Sequence, residues 1–260
     1  MPDSNLPPSL GWRLFSVWYR HMRVYTRNLI SNGLPPFLEP VIFLLGVGLG
    51  LGRYINQMED VRYIVFLATA LPITSAMFTS AYECTFGTFV RMEFQKSYDG
   101  LIAAPVTVKD IFVGEILWAG TKGLFFSACV VLVMSLFGAI PMPAGLFAVP
   151  VGFLTGAMFG ALSLLVTSFV RNINHFNFYF TGLLSPMFFF SGTVFPLDSL
   201  PRVLRPVAEL LPLTHAVRLA RGTAILNLSW ILLADLAFLV VVTAVAAYVA
   251  IRRLRGRIVV

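Results

Sequence analysis

Four ionisable side chains lie inside long apolar stretches of the sequence: Glu39, Glu115, Lys122 and Asp235. A charge is costly in hydrocarbon, so such residues face the protein interior or the membrane interface, as a proton or substrate relay or as a structural ion pair. Glu115 and Lys122 are seven residues apart and therefore share one face of a helix. A proton-coupled carrier would be expected to have more ionisable groups near the middle of the membrane, which favours the structural ion pair.

Residue types that commonly form catalytic or metal sites do not occur in the patterns that those sites require. The sequence has no Gly-x-x-x-x-Gly-Lys-Ser/Thr phosphate loop, no Gly-x-Ser-x-Gly nucleophile motif and no His-Glu-x-x-His zinc motif. His175 and His215 have no carboxylate or cysteine at ligand spacing, which favours ordinary hydrogen bonding near a membrane boundary. Cys84 and Cys129 are interpreted as buried free thiols. We therefore expect a protein that is not an enzyme and that holds no metal or cofactor of its own.

The composition indicates the elements that position these residues. Of the 260 residues, 58% are hydrophobic and 12% are charged, whereas a soluble domain has roughly 45–50% and about 25%. This excess of apolar surface excludes disorder, a disulfide scaffold and most soluble enzymes. The net charge of +7 could indicate nucleic acid binding, but the basic residues lie between apolar runs. That placement favours the cytoplasmic flanks of membrane helices, so no nucleic acid partner is expected.

Six stretches are apolar over roughly the 20 residues that a membrane-spanning helix needs. They lie at about 34–52, 63–82, 111–140, 146–170, 176–195 and 230–251. The predicted fold is an all-α membrane protein whose transmembrane domain covers 34–251. Twelve Lys and Arg residues flank one side of the six spans and six flank the other. This asymmetry predicts that both termini, including the basic tail at 252–260, are cytoplasmic.

The N-terminal region at 1–33 contains an amphipathic helix before the first span. On a helical projection its arginines fall in one sector about 80° wide, opposite an aromatic face. The residues assigned to this helix are Trp12, Arg13, Arg20, Arg23 and Arg27. A surface helix of a soluble domain has a similar pattern, but a span follows directly, which favours a helix lying flat on an anionic leaflet.

Two further segments lie between spans. The largest predicted cytoplasmic connection, 83–110, includes a charged, helix-compatible stretch from Arg91 to Asp99 and a capping box that starts at Thr107. It could dock on another protein or be a solvated loop. On the opposite side, 199–228 is amphipathic and bounded by prolines, as expected of short external helices before the last span. Four arginines in this external segment run against the charge rule.

Several strings, in this order, resemble the membrane permease of type-2 ABC exporters. Glu39-Pro-Val-Ile-Phe and the glycines after it resemble the first span of that family. The strings Glu83-Cys-Thr-Phe-Gly-Thr-Phe-Val-Arg-Met92 and Gly114-Glu-Ile-Leu-Trp118 resemble its nodulation-factor (lipo-chitooligosaccharide) export branch. The C-terminal pattern of the family is matched by Ser191-Gly-Thr-Val-Phe-Pro196, Leu200-Pro201 and Leu211-Pro-Leu-Thr-His215.

This resemblance implies a homodimer of permeases in the bacterial inner membrane, driven by two copies of a separate ATP-binding subunit that would hold ATP and Mg. It implies export of a lipid-linked saccharide or a similar amphiphile. A coupling helix at 93–104 would dock on the ATPase, with the coupling residues Arg91, Glu93, Lys96 and Asp99. An outer gate at 197–214 would involve Phe195, Pro196, Pro201 and Pro212. The resemblance assigns no substrate-binding residue.

Two other functions are compatible with the same residues. An ion- or proton-coupled carrier would act without an ATPase, and its transport would follow the membrane potential or the pH gradient. A membrane assembly protein would bind a partner without transporting anything. A gene for an ATP-binding subunit beside the gene for this chain would favour the exporter.

Overall fold

A computed structural model of the chain describes residues 8–52, 54–55, 57–58 and 61–258, most of which are helical. The first half contains α1 (Leu10–Arg27), α2 (Leu29–Gly33), α3 (Pro35–Phe43), β1 (Gln57–Met58), β2 (Val61–Arg62), α4 (Tyr63–Tyr82), α5 (Ser97–Ile102) and α6 (Val108–Leu136). The second half contains α7 (Ala148–Phe169), α8 (Phe176–Tyr179), α9 (Ser185–Phe190), α10 (Arg205–Glu209), α11 (Pro212–Ala224) and α12 (Trp230–Ile258). The two strands pair antiparallel between α3 and α4.

Several helices continue through π-helical or 3-10 stretches. The π-helical stretches are Leu44–Leu49 after α3, Glu83–Gly87 and Val90–Phe94 after α4, and Phe180–Leu184 between α8 and α9. The 3-10 turns are Ala144–Phe147 before α7, Ile173–His175 before α8 and Leu197–Ser199 before α10, and a last α-helical turn, Gly50–Gly52, follows the first π-helical stretch. Because π-helical stretches are rare and often lie at functional sites, the two beyond α4 draw attention to that end of the bundle.

Among the described residues, four helices are long and apolar enough to cross a membrane. They are α4 with its continuation (Tyr63–Phe94), α6, α7 with its leading turn (Ala144–Phe169) and α12. Each is longer than the roughly 20 residues that span the hydrocarbon core. These helices overlap the predicted spans at 63–82, 111–140, 146–170 and 230–251.

The two other predicted spans do not contain helices of that length in the described part of the chain. The apolar helix at Pro35–Val47 is shorter, although π-helical and α-helical turns continue it to Gly52. In the span predicted at 176–195, the helix ends at Phe190, shortly before Gly192 with a left-handed φ of +73°. The fold is therefore a mostly helical membrane protein, but its helix lengths do not reproduce six spans.

Small residues bring α6 and α7 into close contact at the centre of the bundle. A Cβ atom added to Gly123 would lie 2.5 Å from the carbonyl oxygen of Gly152, and one on Gly160 would lie 2.6 Å from Cβ of Ala119. Such approaches are possible only without side chains at these positions. The hydroxyl of Ser80 on α4 also donates to the Ala119 carbonyl at 2.9 Å. These contacts fix the relative positions of α4, α6 and α7.

The N-terminal helix α1 packs along the first half of α6. Val17 fills the space above Gly114, where an added Cβ would lie 2.6 Å from its Cγ1 atom. The Trp18 indole N–H donates to Thr121 Oγ1 at 2.9 Å, and Arg13 forms an ion pair with Asp110 at 3.1 Å. Asp110 is also part of the capping box at the start of α6, as the sequence predicts. The contacts hold α1 against the bundle along one face.

The C-terminal end of α12 lies at the same end of the bundle as α1 and the start of α6. There Arg257 donates to the Thr167 and Val170 carbonyls at the end of α7, at 2.8 and 2.7 Å, and to Glu93 Oε1 at 2.9 Å. Only 22% of the most apolar stretch of α12 is buried. An exposed apolar helix of this length is suited to a lipid environment, because all its backbone groups bond within the helix.

Candidate functional site

Four charged side chains meet between the continuation of α4 and α6, at the end of the bundle that holds the C-terminal end of α12. We call Glu83, Arg91, Glu115 and Lys122 the inner charge cluster. Arg91 Nη1 lies 2.7 Å from Glu83 Oε1, and its Nε lies 3.2 Å from Glu115 Oε1. Lys122 Nζ lies 2.9 Å from the other oxygen of Glu83. All four side chains are at most 15% exposed, so their charges are neutralised mainly by one another rather than by water.

Glu115 and Lys122 therefore share a cluster but do not form the direct ion pair that their spacing suggested. Seven residues separate them by about 10 Å along a helix axis. Glu83 and Arg91 lie between their charges and join them. The seven-residue spacing correctly gives a common face, whereas the partners come from another helix.

Arg91 lies inside the bundle rather than on an exposed surface. The helix that begins at Tyr63 does not end at the predicted boundary, Tyr82, but continues to Phe94. Arg91 consequently lies on a helix face turned toward α6, and its side chain is 14% exposed. Its guanidinium donates to both cluster carboxylates. Arg91 is thus an internal residue whose side chain is bonded within the inner charge cluster.

The short helix α5 is connected to this cluster through Tyr98. The Tyr98 hydroxyl donates to Glu115 Oε1, and Thr88 Oγ1 donates to the second oxygen of Glu115 at 2.8 Å. Tyr98 is 1% exposed. Burial first, and then the Glu115 carboxylate, raise the pKa of Tyr98 well above its ordinary value, so the hydroxyl remains a donor. Any movement of α5 must therefore disturb the carboxylate at the centre of the cluster.

The other coupling residues predicted from the sequence lie near α5, at the end of the long helix. Glu93 is 41% exposed and pairs with Arg257, and Lys96 is exposed with a left-handed φ of 48° at the break before α5. The side chains of Asp99 and Glu39 lie outside the described part of the structure. The structure therefore brings Glu93 and Lys96 to one region and separates Arg91 from them.

The α1 residues occupy two flanks of the helix on either side of its packed face. Trp12 is 61% exposed and stacks on Phe15 with ring centroids 5.9 Å apart. Arg20, Arg23 and Arg27 line the other flank. Between the flanks, His21 packs against Trp118 of α6, with ring centroids 6.1 Å apart. Burial lowers the pKa of His21 to about 4, so its ring is neutral at pH 7.

A second buried carboxylate, Asp235, lies at the opposite end of the bundle. Together with Glu209, His215 and Arg218 it forms what we call the outer charge cluster. Arg218 donates to both Asp235 oxygens, at 2.8 and 2.7 Å, and to both oxygens of Glu209 at 2.9 Å. His215 Nδ1 lies 2.6 Å from Asp235, and its ring stacks on Phe238 at 3.8 Å. The cluster joins α10 and α11 to the start of α12.

The residues assigned to an outer gate lie beside this second cluster. Phe195 is half-buried and Pro196 buried; Pro196 directly precedes the 3-10 turn Leu197–Ser199. Pro201 is exposed before α10, and Pro212 is the first residue of α11. Arg221 of α11 donates to the Gly192 carbonyl at 2.8 Å, connecting the same helix to the end of α9.

Sequence reasoning missed several residues that the structure places at these sites, including His21, Glu83, Tyr98 and Arg218. Glu83 was interpreted as a boundary residue, and its position directly after an apolar run was a usable signal. His21 lies four residues after Val17, on the face that packs against α6. No spacing rule connects Tyr98 with Glu115, because they come from different helices.

Comparison with known proteins identifies the family to which the chain is similar. The family model described as ABC-2 type transporter matches residues 13–225. Nodulation protein J of Sinorhizobium fredii (strain NBRC 101917 / NGR234) is 36% identical over 214 residues, which cover 82% of each chain. Nodulation protein J of Rhizobium meliloti (strain 1021) is 35% identical with the same coverage. Inner membrane transport permease YadH of Escherichia coli (strain K12) is 24% identical over 78% of this chain and 79% of its own.

Proposed function

This chain belongs to the ABC-2 type transporter family and is the membrane permease of an ABC exporter, and from this premise we propose how it is coupled to ATP. The energy comes from a separate ATP-binding subunit, which the family implies. The observation that carries the proposal is the bond from Tyr98 of α5 to Glu115 at the centre of the inner charge cluster. It gives a short helix at the end of the bundle a direct mechanical connection to the long helices.

The coupling segment extends from Glu93 to Ala104 and contains α5. Its exposed side chains include Phe94, which is 67% exposed, and Lys96. An apolar ring beside a cation is suited to a cleft on a partner protein. When the ATPase pair closes, a shift of α5 moves Tyr98 and therefore Glu115 on α6. Arg91 transmits the same shift to Glu83 on α4, so Arg91 acts as a positioning residue.

We infer that this end of the bundle is cytoplasmic. The C-terminal end of α12 carries Arg252, Arg253, Arg255 and Arg257, and the arginines of α1 lie at the same end. Lys and Arg concentrate on cytoplasmic flanks of membrane helices. We propose that the protein lies in the bacterial inner membrane with both termini cytoplasmic and with α1 at the cytoplasmic end of the bundle, packed along the first half of α6. We propose that the helical segments within 34–52 and 176–195 also cross the membrane, which would give six spans.

The outer charge cluster supports a gate at the opposite surface. Its carboxylate, Asp235, is on the long helix α12, while Glu209 and Arg218 are on α10 and α11. A displacement of α12 therefore pulls directly on the external helices. In a dimer of two permeases, the two external segments would open and close the exit together.

The cargo we propose is a lipid-linked saccharide or a related amphiphile. The support is the similarity, over 82% of the chain, to proteins named Nodulation protein J. Because one fold serves many cargoes, the proposal names only a class of cargo, the saccharide-bearing amphiphiles. Transport assays would identify the individual compound.

The test uses the complex of this chain with its ATP-binding subunit. Tyr98→Phe removes one hydroxyl bond to a carboxylate, which stabilises by roughly 1.5–3 kcal/mol. We expect complex formation to be unchanged and cargo-stimulated ATP hydrolysis to fall about tenfold. Tyr248→Phe is the matched control, because Tyr248 is 65% exposed on α12. Equal activity of the two variants would contradict coupling through α5, and no association with any ATP-binding subunit would contradict the proposed function.

A further inference from the structure

A crevice of about 470 Å³ lies between α1, α4 and α6, beside the inner charge cluster. Its walls come from α1 and the residues after it, from the stretch at 83–95 that continues α4, and from the middle of α6. The side chains on which the inference rests are Arg20, His21, Tyr25, Phe86, Trp118 and Lys122. A cavity of this size is in the range of small-molecule sites.

The charges that face the crevice leave an excess of one cation. Arg91 and Lys122 are bonded to the two carboxylates Glu83 and Glu115. Arg20 also lines the crevice and has no ion-pair partner within residues 8–258 as far as these are described. Three cations therefore face two carboxylates in a partly desolvated space. Such an arrangement attracts one negative charge, and Arg in particular favours carboxylate and phosphate oxygens.

His21 provides an independent polar group at the same place. It is 5% exposed, and its Nε2 atom has no hydrogen-bond partner among the described residues. The nearest carboxylate oxygen, Glu115 Oε1, is 3.8 Å away, too far for a hydrogen bond. A buried nitrogen left unpaired is unfavourable, and a polar ligand, or a water that the ligand holds, would supply the missing partner.

The remaining walls are aromatic. Tyr25 and Trp118 meet edge to face with centroids 5.6 Å apart, and Phe86 lies on the α4 side. Tyr25 is held by two bonds to Asn32, at 2.7 and 2.9 Å, so this wall is preorganised. Amphipathic rings next to cations are suited to a ligand in which a charged group adjoins a less polar body.

We propose that this crevice binds the phosphate-bearing headgroup of an amphiphile, with Arg20 and Lys122 contacting the phosphate and Tyr25 and Trp118 packing against the adjoining part. The inference rests on the proposed function, since it assigns a headgroup site to a permease for amphiphiles. The ligand class and the residues that bind it follow from the crevice and not from the family or the sequence motifs. Bound there, the headgroup would touch α1, α4 and α6 at the point where Tyr98 meets Glu115.

The test is calorimetric titration of the purified full chain, in a nonionic detergent, with dihexanoyl phosphatidic acid. Arg20→Gln should weaken binding about tenfold, the effect of one lost charge-assisted hydrogen bond. Arg23→Gln is the matched control: it removes the same charge from the same helix, but Arg23 faces away from the crevice. It should change the dissociation constant by less than about twofold. His21→Phe keeps the ring packed on Trp118 and should weaken binding without loss of the folded protein.

Parallel titrations identify the part of the ligand that is recognised. Dihexanoyl phosphatidylcholine, which has no net charge, should bind much more weakly, and equal binding would overturn the role of the charge. Inorganic phosphate should also bind weakly, and binding as tight as that of the amphiphile would replace a headgroup site by a free-anion site. Equal weakening by Arg20→Gln and Arg23→Gln would overturn the crevice in favour of general attraction to α1. The titration contains neither ATP nor an ATPase, so its failure is distinguishable from failure of the coupling proposal.

Discussion

Arg91→Met tests whether the inner charge cluster is held together by this guanidinium. The substitution leaves Glu83 paired with Lys122, whereas Glu115, which is 1% exposed, loses its cation and keeps only the hydroxyl donors of Thr88 and Tyr98. An uncompensated buried charge of this kind destabilises a protein by about 3–5 kcal/mol. For a chain of this size the corresponding fall in apparent melting temperature is on the order of 10 °C.

The assay is thermal unfolding of the purified chain in one detergent, with Arg252→Met as the control, because Arg252 is exposed on α12. The control should change the melting temperature by no more than about 1–2 °C, as expected of a surface position. The double variant Arg91→Met/Glu115→Gln separates charge from packing. Removing the unpaired carboxylate should restore at least half of the lost stability. If Arg91→Met unfolds like the control, or if the effects of Arg91→Met and Glu115→Gln simply add, the cluster is not an interdependent ion network and the reasoning is refuted.

Three further predictions address the packing, the neutral histidine and the outer charge cluster. Gly123→Ala should destabilise the chain by about 1–3 kcal/mol, because its Cβ would lie 2.5 Å from the Gly152 carbonyl oxygen. The control, Gly256→Ala, has nothing within 4 Å of the added Cβ and should be neutral or slightly stabilising in the same thermal assay. Equal effects of the two variants would contradict close packing of α6 against α7. The pKa of His21 falls from 6.5 to about 4 on folding, so the unfolded chain takes up a proton at a higher pH than the folded chain. The free energy of unfolding should therefore decrease by up to about 3 kcal/mol as the pH falls from 6.5 to 4. In denaturant titrations, His21→Phe should reduce this dependence of the unfolding free energy on pH. Asp235→Asn removes a carboxylate that accepts from both α11 side chains of the outer charge cluster, and limited proteolysis should cut 197–228 several times faster than in the unmodified chain; unchanged cleavage would show that the cluster does not hold the external helices.

The sequence was sufficient for features that depend on local pattern. Apolar length located the four long helices, and the Thr107 capping box marks the start of α6. The helix extending beyond Tyr82 was not predictable, because charged residues such as Glu83 normally end a span. Here Glu83 is neutralised by Lys122 of α6, so the helix continues with two π-helical stretches. The partner that made this continuation favourable is 39 residues away in the chain, beyond the reach of any periodicity.

The same limit applies to the candidate sites. Glu115 and Asp235 were recognisable as costly charges, but their partners were not. Tyr98 reaches Glu115 because α5 folds back against α6, and Arg218 reaches Asp235 because α11 lies across the start of α12. Both pairings are consequences of tertiary packing, which a single sequence does not encode as a spacing.

Glu115 and Asp235 are buried carboxylates that join helices at opposite ends of the bundle. Each is 1% exposed and belongs to a long helix, and each accepts bonds from a short helix that lies outside the long ones. A buried ion pair adds little net stability compared with apolar packing, because desolvation offsets most of its attraction. Breaking one partner is costly, however, so such a pair fixes the alignment of the elements it joins. A permease that must pass motion from one surface to the other needs defined connections at both ends more than it needs additional stability. If the proposed coupling is right, carboxylates buried under short helices provide those connections at positions where apolar residues would fold as well.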